Sequence, residues 1–432
     1  MVSRMSQYAS KNANCDSIRV RGGRSLKGTI DISGAKNAAL PIMAASLLTE
    51  KEVIIHNVPR SGDVLTMKEL VRSVGASIEF ENNTLRIRAS KLTERFLPEN
   101  YLASEIRYSL HIIGALLPRL RRVKMPIPGG CKLGTRRLDS FLMGLTSLGA
   151  KFDVNKKYMR ATLDSLHGCH VKLEFPSVSA TENMLIVGSV AEGNSVVENV
   201  AKEPEIEDLA DFLNSMGAEI RGAGTDVIHI SGVRELSGTE HTIIPDRIET
   251  GTYAVAAALT NGETVLRKTN LSLLESVVSK LREIGVGIEE VSQGIRVSAP
   301  SKLHSVDIVT EIYPGFPTDM QPIITPLLCK ADGISKIKET VFDRRFNHVP
   351  ELRKMGARIE VEGDTLFIKG ECCLTRAEVE APDMRSGASL LLAALAAEGT
   401  TTIRRAHQIF RGYEQPLEKL KKLGAETSKT KC

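Results

Sequence analysis

The sequence predicts an α/β protein of two domains, each built from three copies of a unit of about 70 residues. Three observations carry this: the 432-residue length, a motif that recurs six times, and small-residue helices between its copies. A chain this long exceeds one ordinary core, so two domains of roughly 200 residues are the default.

The motif is L-x-x-(L/M/I)-G-(A/V). Its copies are LVRSVGASIEF (the loosest), LTSLGAKFDV, LNSMGAEIRG, LREIGVGIEEV, LRKMGARIEV and LKKLGAETS. Their glycines, Gly75, Gly149, Gly217, Gly285, Gly356 and Gly424, stand 74, 68, 68, 71 and 68 residues apart. Gly after the last apolar residue of a helix supplies the left-handed cap that other residues adopt only at a cost. The alternating residues that follow, as in ASIEFENNTLRIRAS, predict a hairpin of half-buried strands.

A second piece alternates with the first: a helix rich in Ala, Gly and Ser, then Gly and an apolar strand. ATENMLIVGSVAEGNSVVENV, ETGTYAVAAALTNGETVLRKT and SGASLLLAALAAEGTTTIRRA are examples. Such helices let other backbone approach closely and are expected to be buried on all sides. Six wedge-like units could instead stack as an open solenoid. Units this long, without capping repeats, favour two closed globules.

Composition narrows the function. With 57 basic and 52 acidic residues the net charge is +5, which suits anionic small molecules but lacks the clustered basicity of a nucleic-acid binder. No apolar run spans a membrane. Seven scattered cysteines without a CxxC pair point to reduced thiols and a cytoplasmic protein. The polar N-terminus, residues 1–17, is expected to be a disordered tail.

Departures from the repeats mark candidate chemistry. In SGAKNAALP, Lys36 and Asn37 open a buried-type helix, where the N-terminus attracts anions and Lys adds a full charge; an ordinary capped helix start is the bland alternative. In PIPGGCKLGTRRLDS, Cys131 sits in a glycine loop beside Lys132, Arg136 and Arg137, neighbours that lower a thiol's pKa. Asp319, Arg345, Asp383, Arg385 and Arg411 fall in loops around the other helices. Arginine forks grip phosphate and carboxylate, and an Asp among them can act as a base. His167, Cys169 and His170 lack a second ligand pair, so no metal is expected. RLRRVK (119–124) and the Lys-rich C-terminus read as solvated faces, and Cys372 and Cys373 as packing residues of a strand-like segment.

Together these residues resemble the enolpyruvyl transferase family, and within it the branch that acts on UDP-N-acetylglucosamine. The resemblance runs over residues 18–427 and rests on SGAKNAALP, PGGCKLGTR, EPEIEDLADFL, PDRIETGT, FPTDMQ, ETVFDRRFNHVPEL, and DMRSGASL with RGYE. It implies two inside-out α/β domains with pseudo-three-fold symmetry and an active site in the interdomain cleft. Residues 36–243 would form one domain, carrying the Cys131 lid loop, and 18–35 with 244–432 the other.

The resemblance also implies roles. Lys36, Asn37, Arg136 and Arg411 would hold the phosphate of phosphoenolpyruvate, and Arg345 and Arg385 its carboxylate. Cys131 would protonate the methylene carbon, form an adduct with phosphoenolpyruvate and take covalent inhibition by fosfomycin. Asp319 would be the base for the sugar 3-hydroxyl, with Asp383 assisting. Arg107, Arg136, Arg137, Leu138, Asp139, Ser140, Ser177, Val178, Asp319 and Val341 would bind UDP-N-acetylglucosamine.

The implied reaction, addition then elimination of phosphate, is the first committed step of peptidoglycan synthesis. It needs two proton carriers and no cofactor. Arg137, Phe141 and Ser179 depart from the family's usual Pro, His and Gly. Two alternatives follow: a specialised-metabolism transferase with another nucleotide acceptor, and a non-catalytic binding or regulatory paralogue.

Overall fold

The computed structural model describes residues 17–93, 102–127, 129, 138–343 and 345–430. The chain forms two compact units, parting between Ser33 and Gly34 and between Ile244 and Pro245. These divisions fall two residues before and one residue after the boundaries that the resemblance implies. Ala35 N–H donates to Ile244 O at 2.7 Å, and Asp246 N–H donates to Ser33 O at 2.9 Å, so each crossing is tied to its own unit. Residues 1–16 lie outside the described residues. Ser17, read as tail, instead opens the strand Ser17–Arg21.

Each unit has helices at its centre and sheets around them. In the middle unit the inner helices are α1 (Lys36–Ala45), α2 (Ser109–Leu120) and α3 (Val178–Gly188). In the terminal unit they are α4 (Arg247–Leu259), α5 (Gln321–Leu328) and α6 (Met384–Ala396). All residues of α4 and α5 are buried. Small residues on α4 and α6 let backbones approach closely, and the apolar α5, QPIITPLL, is enclosed between them: α4, α5 and α6 pack against one another, and α2 packs against both α1 and α3. His111 on α2 and Glu182 on α3 meet at 2.7 Å in the core of the middle unit.

Outside these lie six sheets, three per unit, five four-stranded and one three-stranded among the described residues. An amphipathic helix precedes each sheet's hairpin and ends at a motif glycine. All six glycines are left-handed, with φ between 91° and 105°. Where both hairpin strands are present the pattern repeats: Ser77–Glu81 pairs antiparallel with Thr84–Arg88, and Gly287–Val291 with Gly294–Ser298. Alternate residues of Thr84–Arg88 and Gly294–Ser298 are buried, leaving the other face to solvent.

The sixth copy is completed differently. Its glycine, Gly424, leads into Glu426–Thr430, and the strand that pairs with it is Ser17–Arg21 from the other end of the chain. Ser17–Arg21 also pairs antiparallel with Thr400–Arg404, filling the place a second hairpin strand takes elsewhere.

Two surface readings and one strand-packing reading are corrected. Arg119 is not simply solvated: its guanidinium donates to the carbonyls of Leu47 (2.9 Å) and Ala89 (2.8 Å). Lys419, in the Lys-rich C-terminal helix Pro416–Lys422, turns inward to Ser33 Oγ (2.7 Å) and the buried Glu249. Cys372 and Cys373 follow the strand Thr365–Lys369 in a loop, where Cys372 is buried and Cys373 exposed. Among the described residues no helix is long and apolar enough to cross a membrane.

Candidate active site

The middle unit supplies the first group of candidate residues. Ala35 is extended (φ −66°, ψ 116°), and Lys36 begins α1 directly after it. The Lys36 side chain is only 6% exposed, and its ammonium lies 3.2 Å from Asp63 in the first turn of helix Gly62–Ser73. A buried ammonium at a helix N-terminus concentrates positive potential that one carboxylate only partly offsets. Asn37 beside it is half-buried.

Arg107 is half-buried in the turn before α2, and Asp139 and Ser140 open the helix Asp139–Ser147, preceded by Leu138. Ser177 caps α3, accepting from Ala180 N–H at 3.4 Å, with Val178 as the first helical residue. Cys131, Arg136 and Arg137 lie outside the described residues.

Two of the departures are local matters. Phe141 is 2% exposed with its ring 6.0 Å from that of Phe152, so it packs into the core. Ser179 Oγ stands 3.5 Å from Ser177 Oγ at the start of α3.

The terminal unit brings four of its expected residues into one network. Asp319 lies in the single turn Thr318–Met320 that leads into α5. Its Oδ1 accepts from Arg345 Nη2 at 2.6 Å, and its Oδ2 from Arg385 Nε at 3.0 Å. Both guanidiniums are almost fully buried, 4% and 2% exposed, whereas Asp319 is 27% exposed. One carboxylate therefore faces two buried cations, and Arg345 Nε and Arg385 Nη1 make no hydrogen bond among the described residues. Such a site has spare capacity for an incoming anion.

Arg385 is held from several sides. Its ring neighbour is Tyr413, 5.3 Å away. Burial works against its charge, but Tyr413, Asp319 and Asp246 outweigh that and raise its pKa above the usual arginine value. Asp383 is the N-cap of α6: Oδ1 accepts from the backbone N–H groups of Arg385 and Ser386, both at 3.0 Å, and Oδ2 from Ser386 Oγ at 2.7 Å. Asp383 thus fixes where Arg385 leaves the helix. Asn347 also reaches Asp383, at 3.3 Å. Beneath them His348 is fully buried, and burial drives its imidazole down to about 3, with Asp383 opposing and Arg345 reinforcing. Val341 follows the same loop as Arg345, while Arg411 follows the short helix His407–Phe410, with Nη1 3.3 Å from Gln408 Oε1.

Sequence reasoning did not single out Asp63, Thr318, Glu339 or Tyr413. Thr318, Glu339 and Tyr413 stood inside the motifs FPTDMQ, ETVFDRR and RGYE, but nothing local distinguishes a buried carboxylate or hydroxyl from a surface one.

The chain matches the family model of EPSP synthase (3-phosphoshikimate 1-carboxyvinyltransferase) over residues 20–420. A UDP-N-acetylglucosamine 1-carboxyvinyltransferase of Granulibacter bethesdensis is 47% identical over 414 residues, 95% of this chain and 98% of that protein. One of that name from Caldanaerobacter subterraneus subsp. tengcongensis is 48% identical over 401 residues, 93% of this chain and 96% of the relative. Among solved structures, the enolpyruvyl transferase NikO from Streptomyces tendae superposes with a TM-score of 0.86 at 27% identity, covering 96% of this chain and 99% of that one. An EPSP synthase of Acinetobacter baumannii shares the fold, with a TM-score of 0.74 at 19% identity over 96% of this chain and 100% of that one. A family match over nearly the whole length, and relatives almost half identical end to end, agree with the six-unit fold: the chain belongs to the EPSP synthase family of enolpyruvyl transferases.

Proposed function

We propose that the protein transfers the enolpyruvyl group of phosphoenolpyruvate to the 3-hydroxyl of UDP-N-acetylglucosamine, releasing phosphate, in the cytoplasm as a step of peptidoglycan synthesis. The observation that carries the reading is the pair of buried guanidiniums, Arg345 and Arg385, converging on Asp319. The names of relatives at 47% and 48% identity support the choice of acceptor.

The chemistry asks for this inventory. Phosphoenolpyruvate carries about three negative charges, so several fixed cations must bind and orient it. Arg345 and Arg385 take the carboxylate; Lys36, Asn37, Arg136 and Arg411 take the phosphate. Cys131 delivers a proton to the methylene carbon while Asp319 receives the proton of the attacking hydroxyl. In the elimination the Cys131 thiolate takes back a proton from the new methyl group, the carbon–oxygen bond to phosphate breaks, and the proton held by Asp319 leaves with the phosphate. Asp383 supports the second step by fixing Arg385. Arg107, Arg137, Leu138, Asp139, Ser140, Ser177, Val178 and Val341 hold the nucleotide sugar. The Cys131 thiol is the group that fosfomycin alkylates, and Cys131→Asp is expected to remove sensitivity to the drug while turnover persists.

The experiment is phosphate release from phosphoenolpyruvate with UDP-N-acetylglucosamine, UMP or shikimate 3-phosphate as acceptor. Release with the nucleotide sugar alone supports the reading. Release with UMP alone moves the protein to another nucleotide acceptor, and silence with all three leaves a binding role.

A further inference from the structure

We infer that Glu339 is a positioning residue for phosphoenolpyruvate binding, acting on Arg345 through the hydroxyl of Thr318; the inference rests on the role proposed above for Arg345. Glu339 stands just after the strand Ile334–Lys338 and is 4% exposed. Its carboxylate accepts four hydrogen bonds. Oε1 takes Thr310 Oγ1 at 2.9 Å, Val341 N–H at 3.0 Å and Phe342 N–H at 3.1 Å. Oε2 takes Thr318 Oγ1 at 2.8 Å.

One side chain thereby joins the segment at Thr310, the turn carrying Asp319 and the loop carrying Val341 and Arg345. Thr318 is the link to the cations. A hydroxyl has a single proton. Thr318 donates it to Glu339, which leaves an oxygen lone pair to accept from Arg345 Nη1 at 2.9 Å. The Arg345 fork then spans two acceptors, Thr318 by Nη1 and Asp319 by Nη2.

All four groups facing Glu339 are donors, so the position calls for an acceptor on both oxygens. Glutamine has nearly the same volume but turns one of these positions into an NH₂. At the Oε2 position that NH₂ would force Thr318 to accept, and its proton would swing toward Arg345. At the Oε1 position the NH₂ would meet two backbone N–H groups that cannot turn away. Volume alone would not produce this sensitivity; the direction of the hydrogen bonds does.

The test compares Glu339→Gln, Thr318→Val and Thr318→Ser with the unaltered protein, in steady-state kinetics and thermal unfolding. Glu339→Gln and Thr318→Val are each expected to raise KM for phosphoenolpyruvate about tenfold or more, the loss usual for a hydrogen bond to a charged group. KM for the acceptor should change much less in Thr318→Val, and Thr318→Ser should restore both values. The double variant should be no worse than the poorer single one, because both break the same chain. Lower thermal stability with both KM values unchanged, or additive losses in the double variant, would make Glu339 a purely structural residue and overturn the inference. Thr318→Val keeps the question answerable if Glu339→Gln does not fold. An inactive unaltered protein would overturn the functional reading and this assignment together, an outcome separate from failure in the variants alone.

Discussion

Asp319 and Arg345 form an ion pair at 2.6 Å in which the carboxylate is partly exposed and the guanidinium almost fully buried. Arg385 holds the other oxygen. The proposed base therefore offsets part of the charge of the two cations proposed to receive the substrate carboxylate. On the proposed roles, an incoming carboxylate would compete with Asp319 for them, and Asp319 would gain freedom to take a proton as it is displaced.

Asp319→Asn separates these two tasks. Turnover is expected to fall by about 10²–10⁴-fold, the range for loss of a positioned base. Phosphoenolpyruvate should bind at least as tightly, because no internal anion remains to be displaced. Isothermal titration beside a phosphate-release assay checks both. Weaker binding with turnover intact would reverse the assignment.

Lys36 and Asp63 make a buried pair at 3.2 Å in the middle unit. Lys36→Met removes the cation beside a buried carboxylate and is expected to cost about 3–5 kcal/mol of stability. Adding Asp63→Leu should recover most of that stability without recovering turnover. Chemical denaturation of the single and double variants, with activity measured on the same samples, distinguishes a charge needed for phosphate from one needed for folding.

His348 makes stability depend on pH. Its folded-state pKa of about 3 lies below the ordinary 6.5, so the unfolded chain takes up the proton first as pH falls. Its stabilising contribution is complete above about pH 6.5 and is lost progressively down to about pH 3. At pH 5 the loss is about 2 kcal/mol. His348→Gln should be less stable at pH 7 but show a shallower decline of Tm between pH 6.5 and 4. An unchanged slope would exclude His348 as the source.

Gly217 isolates the backbone part of the repeat signature. Its φ is 103°, and a Cβ there would have no atom within 4 Å, so Gly217→Ala meets strain but no clash. The expected cost is about 1–2 kcal/mol, with Gly217→Asn costing less. Urea unfolding midpoints at constant slope check the ranking.

The repeat architecture was legible because its signals are local. A left-handed glycine after an amphipathic helix, an alternating hairpin and an Ala-rich helix each depend on neighbours within about a dozen residues. Those patterns and the quoted motifs also placed Lys36 at a helix start and Asp319 and Arg345 in connecting segments, whereas Arg385, read as a loop residue, is the second residue of α6. Asp383 read as a charged loop residue, whereas its capping of α6 depends on where the helix begins in space.

What the tertiary structure alone decided involves partners far apart in the chain. Ser17–Arg21 completes the sixth unit by pairing with Glu426–Thr430, more than 400 residues away, and no local propensity encodes that pairing. Arg385 reaches Asp319 across 66 residues, and Lys419 reaches Glu249 across 170. Whether a charged side chain faces water or a buried partner is set by which units pack together. The same polar residue types therefore read as surface in the sequence and form hydrogen-bonded networks in the fold.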